Sequence, residues 1–139
     1  MNMIVTDTGF APDSWDQGFV SLEGAAAGAG TAENGLDVTA EDDLTAHRAT
    51  LLAAPMIRIS FPSFADGRGF TVARALRLMG YTGTLRAGPG LIADQYAMAR
   101  RAGFDEVEIT EELAARQPEG QWLFRADWQA YDHQSRLRG

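Results

Sequence analysis

Hydrophobic positions along this chain recur with two alternating periods, and the alternation predicts most of its elements. Over residues 56–61, Ile57, Ile59 and Phe61 interleave with Met56, Arg58 and Ser60, the period of two expected of a strand with one buried face. Pro55 stands just ahead of it and closes whatever helix precedes. Over residues 69–79 the period becomes helical: Phe70, Ala73 and Leu76 form one row, Val72, Ala75 and Met79 the next, and Thr71, Arg74 and Arg77 lie opposite. Gly80 supplies the stop. The unit then repeats. Residues 83–86 read as a short strand, Gly88-Pro89-Gly90 as a turn, and residues 91–102 as a helix burying Leu91, Ile92, Met98 and Ala99 and stopped by Gly103. Residues 104–109 read as a strand with Val107 and Ile109 inward, and Thr110 caps a helix with Glu111 and Glu112 in its first turn.

The flanks are less regular. Residues 3–22 are extended and turn-rich, in the pattern of a short antiparallel hairpin. The small-residue tract 24–35 superficially resembles a dinucleotide turn, but no amphipathic helix follows it, so a flexible loop is expected. Leu36-Asp37-Val38 reads as a strand, and Thr39 as the cap of a helix running to about Ala53. Beyond residue 117, the aromatics Trp122, Phe124, Trp128 and Tyr131, with Leu123 among them, are too many large apolar side chains for a disordered end and should pack on the body or on a second subunit. Residues 135–139 should fray.

Strand and helix thus alternate three or four times with short connections, which predicts a single α/β domain over residues 1–139 with a small parallel sheet of βα units. Residues 1–35 form an extended lead-in with the hairpin, 36–117 the core and 118–139 the aromatic tail. An open three-layer sheet and a half-barrel use the same units, and the pattern leaves both open. A half-barrel would expose a sheet edge and favour a homodimer.

Composition narrows the chemistry. A chain of 139 residues, 45% hydrophobic, buries a core without staples. It has no cysteine, so it supplies no disulfide, thiolate ligand or thiol redox centre. All 12 basic residues are arginine, which removes lysine-based catalysis, and the net charge of −7 argues against nucleic acid as a ligand. No apolar run reaches membrane-span length and no secretory signal opens the chain, so a soluble cytoplasmic protein without a membrane partner is expected. His47 and His133 lie far apart and no metal-ligand or nucleophile-elbow spacing exists. No metal or cofactor is identifiable, and catalytic residues are unknown. The acidic run Asp105, Glu106, Glu108, Glu111 and Glu112 reads as a solvated face.

In a parallel sheet the strand C-termini share one edge, so the turns after Phe61, Arg86 and Ile109 should converge. That predicts Asp66, Arg68, Arg86, Asp94 and Gln95 in one neighbourhood, with two arginines as a bidentate clamp for a carboxylate, a phosphate or a sulfur oxyanion. Backbone N–H groups around Gly67, Gly69, Gly88 and Gly90 would add to it. The same residues also admit a structural reading: Asp66 as a turn or cap, Arg68 paired with Asp94, and Arg86 capping a carbonyl.

Phe61-Pro62-Ser63-Phe64-Ala65-Asp66-Gly67-Arg68-Gly69 is the most distinctive block. With Leu85-Arg86-Ala87-Gly88, Asp94-Gln95 and Arg100-Arg101-Ala102-Gly103-Phe104-Asp105, it makes the chain from about Leu36 to Ile109 resemble the bacterial family DUF934. That family is of unknown function; its members carry an oxidoreductase label tied to sulfite reduction, and their genes often lie beside that of sulfite reductase. Many members have cysteine where this chain has Ala102, which argues against obligatory thiol chemistry. The resemblance implies an accessory or electron-transfer-associated protein of assimilatory sulfite reduction, holding a small anion or docking through the arginine edge. The other reading is a noncatalytic dimeric binding or assembly protein that partners sulfite reductase. A small hydrolase or lyase using Asp66 as base ranks third. Whether the chain is an enzyme stays open.

Overall fold

The structure, a computed structural model, describes residues 2–129; Tyr131, His133 and residues 135–139 lie outside the described part. Strands β1 (Met3–Thr6) and β2 (Gly9–Pro12) form the expected antiparallel hairpin. They are followed by β3 (Phe19–Ser21), α1 (Leu22–Ala26), β4 (Gly35–Val38), α2 (Arg48–Ala53), β5 (Met56–Ile59), α3 (Arg68–Met79) and β6 (Thr84–Ala87). A 3-10 turn (Ala93–Gln95) leads into α4 (Tyr96–Ala102), then β7 (Glu106–Ile109), α5 (Glu111–Arg116) and α6 (Glu119–Leu123).

All seven strands join one sheet in the order β2-β1-β7-β6-β5-β4-β3. From β3 to β7 each strand pairs in parallel with its successor. The order never reverses, so right-handed crossovers lay the connecting helices on a single face. This is the half-barrel alternative rather than the open three-layer one. The hairpin extends the sheet beyond β7, with Met3 opposite Ile109 and Val5 opposite Val107.

Strand alternation sends Leu36, Val38, Ile57, Ile59, Leu85, Ala87, Val107 and Ile109 to the helix side, where they are buried with Val72, Ala73 and Leu76 of α3 and Tyr96 and Ala99 of α4. The turn after β5 packs on this core through its rings: Phe61 stands 5.0 Å from Phe70 and 5.7 Å from Phe104. Gly80 and Gly103 take left-handed backbone after α3 and α4, and the Thr110 hydroxyl accepts the Leu113 N–H at the start of α5, all as the sequence predicts.

Among the described residues the other face carries no helix; a strap, residues 13–18, crosses it from β2 at one edge to β3 at the opposite edge. Pro12 to Phe19 can reach roughly 25 Å, whereas six strand spacings in a flat sheet would separate those edges by roughly 29 Å. The sheet is therefore curled, and the strap lies in its hollow.

Three local expectations are corrected. The tract expected to be loop begins with a helical turn, because Ser21 accepts the Gly24 N–H and Leu22 is buried beneath it. The helix expected from Thr39 starts only at Arg48. Asp42 accepts the Thr39 N–H and Asp43 the Ala46 N–H, turn bonds that compete with helix. Met98, expected inside, is 52% exposed, because α4 turns Tyr96, Ala99 and Ala102 to the core instead.

Candidate functional site

Four consecutive parallel strands carry the same triplet, a charged residue between two apolar ones: Leu36-Asp37-Val38, Ile57-Arg58-Ile59, Leu85-Arg86-Ala87 and Val107-Glu108-Ile109. The flanking pairs face the helices, so the charged members all face the hollow. Register places Asp37 beside Arg58, Arg58 beside Arg86, and Arg86 beside Glu106. Two arginines on neighbouring strands repel each other unless carboxylates stand between them. Glu108 fills that role, its Oε1 accepting from Arg58 Nη1 at 3.1 Å and from Arg86 Nη1 at 3.2 Å. Its Oε2 accepts from the Asn2 amide.

Each guanidinium has further partners. Arg58 grips Asp37 bidentately, Nε to Oδ1 at 2.7 Å and Nη2 to Oδ2 at 3.0 Å, and its plane lies 3.8 Å above the Phe19 ring. Arg86, 2% exposed, reaches Glu106 at 2.8 Å and both oxygens of Asp13 in the strap. Burial by itself would lower the Arg86 pKa, but Asp13 and Glu106 overcome it and hold the group above its ordinary value. For Glu106 the balance runs the other way: burial raises its pKa, and attraction to Arg86 offsets only part. Asp13 loses some solvation too, yet hydrogen bonds from Arg86 and from the Trp15 N–H leave it below the ordinary aspartate value. Glu106 and Glu108 are therefore not part of a solvated acidic face; the first is half-buried and the second buried, in charge neutralisation.

This arrangement separates the residues predicted to converge. Arg86 turns its side chain into the hollow, because Leu85 and Ala87 on either side of it take the helix face. Arg68 lies at the exposed start of α3 and pairs with Asp66 at 2.8 Å and Glu41 at 2.7 Å, so the two arginines share no carboxylate. Asp66 also accepts the Arg68 N–H, the turn role among the alternatives, and hydrogen bonding to Arg68 brings its pKa down to about 2. Asp94 pairs with Arg125 rather than Arg68. Gln95 folds back to accept the Ile92 N–H and donates to the Phe64 carbonyl.

The glycines near these turns have packing roles in the structure. Gly67 is the N-cap of α3, and a side chain on Gly69 would stand 2.5 Å from the Phe61 ring. The Gly88 N–H is spent on the Ile59 carbonyl at 2.8 Å. Gly90, at φ 141°, brings the turn so close to β5 that a Cβ would meet the Phe61 carbonyl at 2.0 Å.

A second feature gathers around Asp94 and Gln95. Met98 of α4 and Phe124 after α6 are 52% and 75% exposed, and they line one groove of about 350 Å³ together with Asp94, Arg101, Arg125 and Asp127. Phe64, held beside Gln95 by its carbonyl, is 57% exposed. Of the aromatic tail, Trp122 is buried edge-on against Tyr96 and Trp128 lies against Arg100, as expected of residues packing on the body. Phe124 and Leu123 instead face outward. Among the described residues no group of histidine, aspartate or glutamate side chains could hold a metal ion, and no helix is long and apolar enough to cross a membrane.

The hollow's ionic layer was missed by sequence reasoning, although the repeated triplet signals it. Turn chemistry around Asp66 and Arg68 drew the site to the sheet edge instead. Among known proteins, the family model described as "Bacterial protein of unknown function (DUF934)" matches residues 35–136, and the chain belongs to that family. No curated protein and no solved structure matches.

Proposed function

We propose that this member of the DUF934 family is a noncatalytic binding component of assimilatory sulfite reduction, which docks sulfite reductase through the surface formed by Phe64, Met98 and Phe124. The link to sulfite reduction comes from the family resemblance. The docking role is carried by one observation: Met98 and Phe124, each more than half exposed, line one groove with the Asp94–Arg125 ion pair, and Phe64, 57% exposed, is tied through its carbonyl to the adjacent Gln95. Exposed apolar side chains ringed by charge are the anatomy of a protein interface.

The state of the charged residues supports the same reading. Arg58, Arg68 and Arg86 all have carboxylate partners within the chain, and no buried side-chain nitrogen or oxygen among the described residues lacks a hydrogen bond. A two-arginine anion clamp would require Arg68 and Arg86 to release those partners. This favours assembly over the small-anion and Asp66-base readings.

The test is retention of the purified chain on immobilised sulfite reductase. The wild type should be retained at a fixed ratio, and Met98→Ser with Phe124→Ser should pass through while melting at the wild-type temperature, since both positions are exposed. Passage of the wild type, or turnover of a small substrate by the chain alone, would overturn the assignment.

A further inference from the structure

We propose that the mouth of the hollow, at the C-terminal ends of β4 to β7, binds a small organic cation: a primary ammonium head on a short apolar body. The site is independent of the docking surface and shares no residue with it. A pocket of about 380 Å³ opens there, lined by Asp37, Thr39, Arg58, Ser60 and Glu108. These residues come from, or directly follow, three different strands of the parallel sheet. Its apolar wall is Pro62 and Pro89. The ends of parallel strands are the usual place for a ligand, and a few polar groups over an apolar wall are its usual lining.

Charge selects the ligand class. Arg58 is the one cation of the lining, against Asp37 and Glu108, which leaves one negative charge in excess. The neighbouring Arg86 cannot compensate, because Asp13 and Glu106 already outweigh its charge. An anion entering the pocket is therefore repelled, and a monocation neutralises it.

Hydrogen bonding selects the head. A primary ammonium has three donors and no acceptor. The Asp37 side chain is 43% exposed, and each of its oxygens, after bonding Arg58, keeps a lone pair. The Ser60 hydroxyl has no hydrogen-bond partner among the described residues. The Thr39 hydroxyl, which accepts the Glu41 N–H at 3.3 Å, keeps room for another donor. Three acceptors thus border the pocket, for three N–H bonds.

The experiment compares probes with one body and different heads: n-butylammonium chloride, sodium butyrate and 1-butanol, each titrated at matched ionic strength while backbone amide shifts are followed by NMR. Butylammonium should give saturable shifts at Thr39, Ser60 and Gly88, and butyrate and butanol should not. Asp37→Asn should weaken butylammonium by about tenfold, the effect of one lost charge contact. Because that change also disturbs the grip on Arg58, Ser60→Leu serves as the second variant; it fills the pocket from an exposed position and should abolish the shifts with the melting temperature retained. The assignment fails if butylammonium shifts are absent or unsaturable, if butyrate or butanol matches them, or if both variants bind as the wild type does.

Discussion

Arg68 and Arg86 carry the same group, and each meets carboxylate oxygens at 2.7–3.0 Å, yet they belong to opposite regimes. The Arg68 side chain is 59% exposed at a turn, where water competes for every bond; that of Arg86 is 2% exposed under the strap, where nothing does. Exposed pairs contribute little net stability because solvation and side-chain entropy cancel most of the attraction. A buried arginine surrounded by carboxylates has no such alternative, so loss of the cation strands charges that cannot rehydrate. Similar contact distances therefore say little about energetic weight. Burial of the partners decides it.

The contrast can be broken in four ways. The largest effect is expected for Arg86→Met, which strands Glu106 and Glu108 and should cost about 3–5 kcal/mol in urea denaturation; a change no larger than that for Arg68→Ala would remove the distinction. Asp13→Asn should cost about 1.5–3 kcal/mol, the range for a hydrogen bond to a charged group, and should raise the proteolytic susceptibility of residues 13–18.

Acidity sharpens the comparison. Because its folded-state pKa lies above the ordinary 4.5, Glu106 contributes stability that is fully present below 4.5 and lost as pH rises through the raised value. Relative to Glu106→Gln, the wild type should therefore gain stability between pH 7 and pH 4.5. Asp13 and Asp66 have lowered values and act in the opposite sense, their contributions disappearing as pH falls through those values, near 2 for Asp66. Denaturation of both proteins at the two pH values checks the sign. Smallest of all should be Arg68→Ala, with no resolvable change in the urea midpoint, since the guanidinium it removes is largely exposed and its ion pairs are open to water.

Local periodicity reveals the βα units well, because the helix-facing rows of α3 and the caps at Gly80, Gly103 and Thr110 are determined by nearest neighbours. It does not reveal that β1 lies beside β7, a pairing across about a hundred residues whose strength resides in the assembled edge. The candidate residues fared differently for a related reason. Asp66 and Arg68 form a two-residue contact that turn chemistry anticipates, whereas Arg86 takes partners 20, 22 and 73 residues away. The carboxylates that Arg58 meets are likewise 21 and 50 residues away. The sequence does hold the sign of this layer, in four apolar-charged-apolar triplets that become meaningful only once the strands are aligned.

The crossing strap also dictates a temporal order. On the ribosome the hairpin of β1 and β2 emerges before the βα units, but its partner β7 emerges about a hundred residues later, so Ile4 and Val5 must wait uncovered while those units assemble one after another. Only when β7 is in place can the hairpin dock and Asp13 reach Arg86. The hairpin is made before the βα units and fastened after them, which makes the nascent protein most vulnerable to aggregation just before β7 appears.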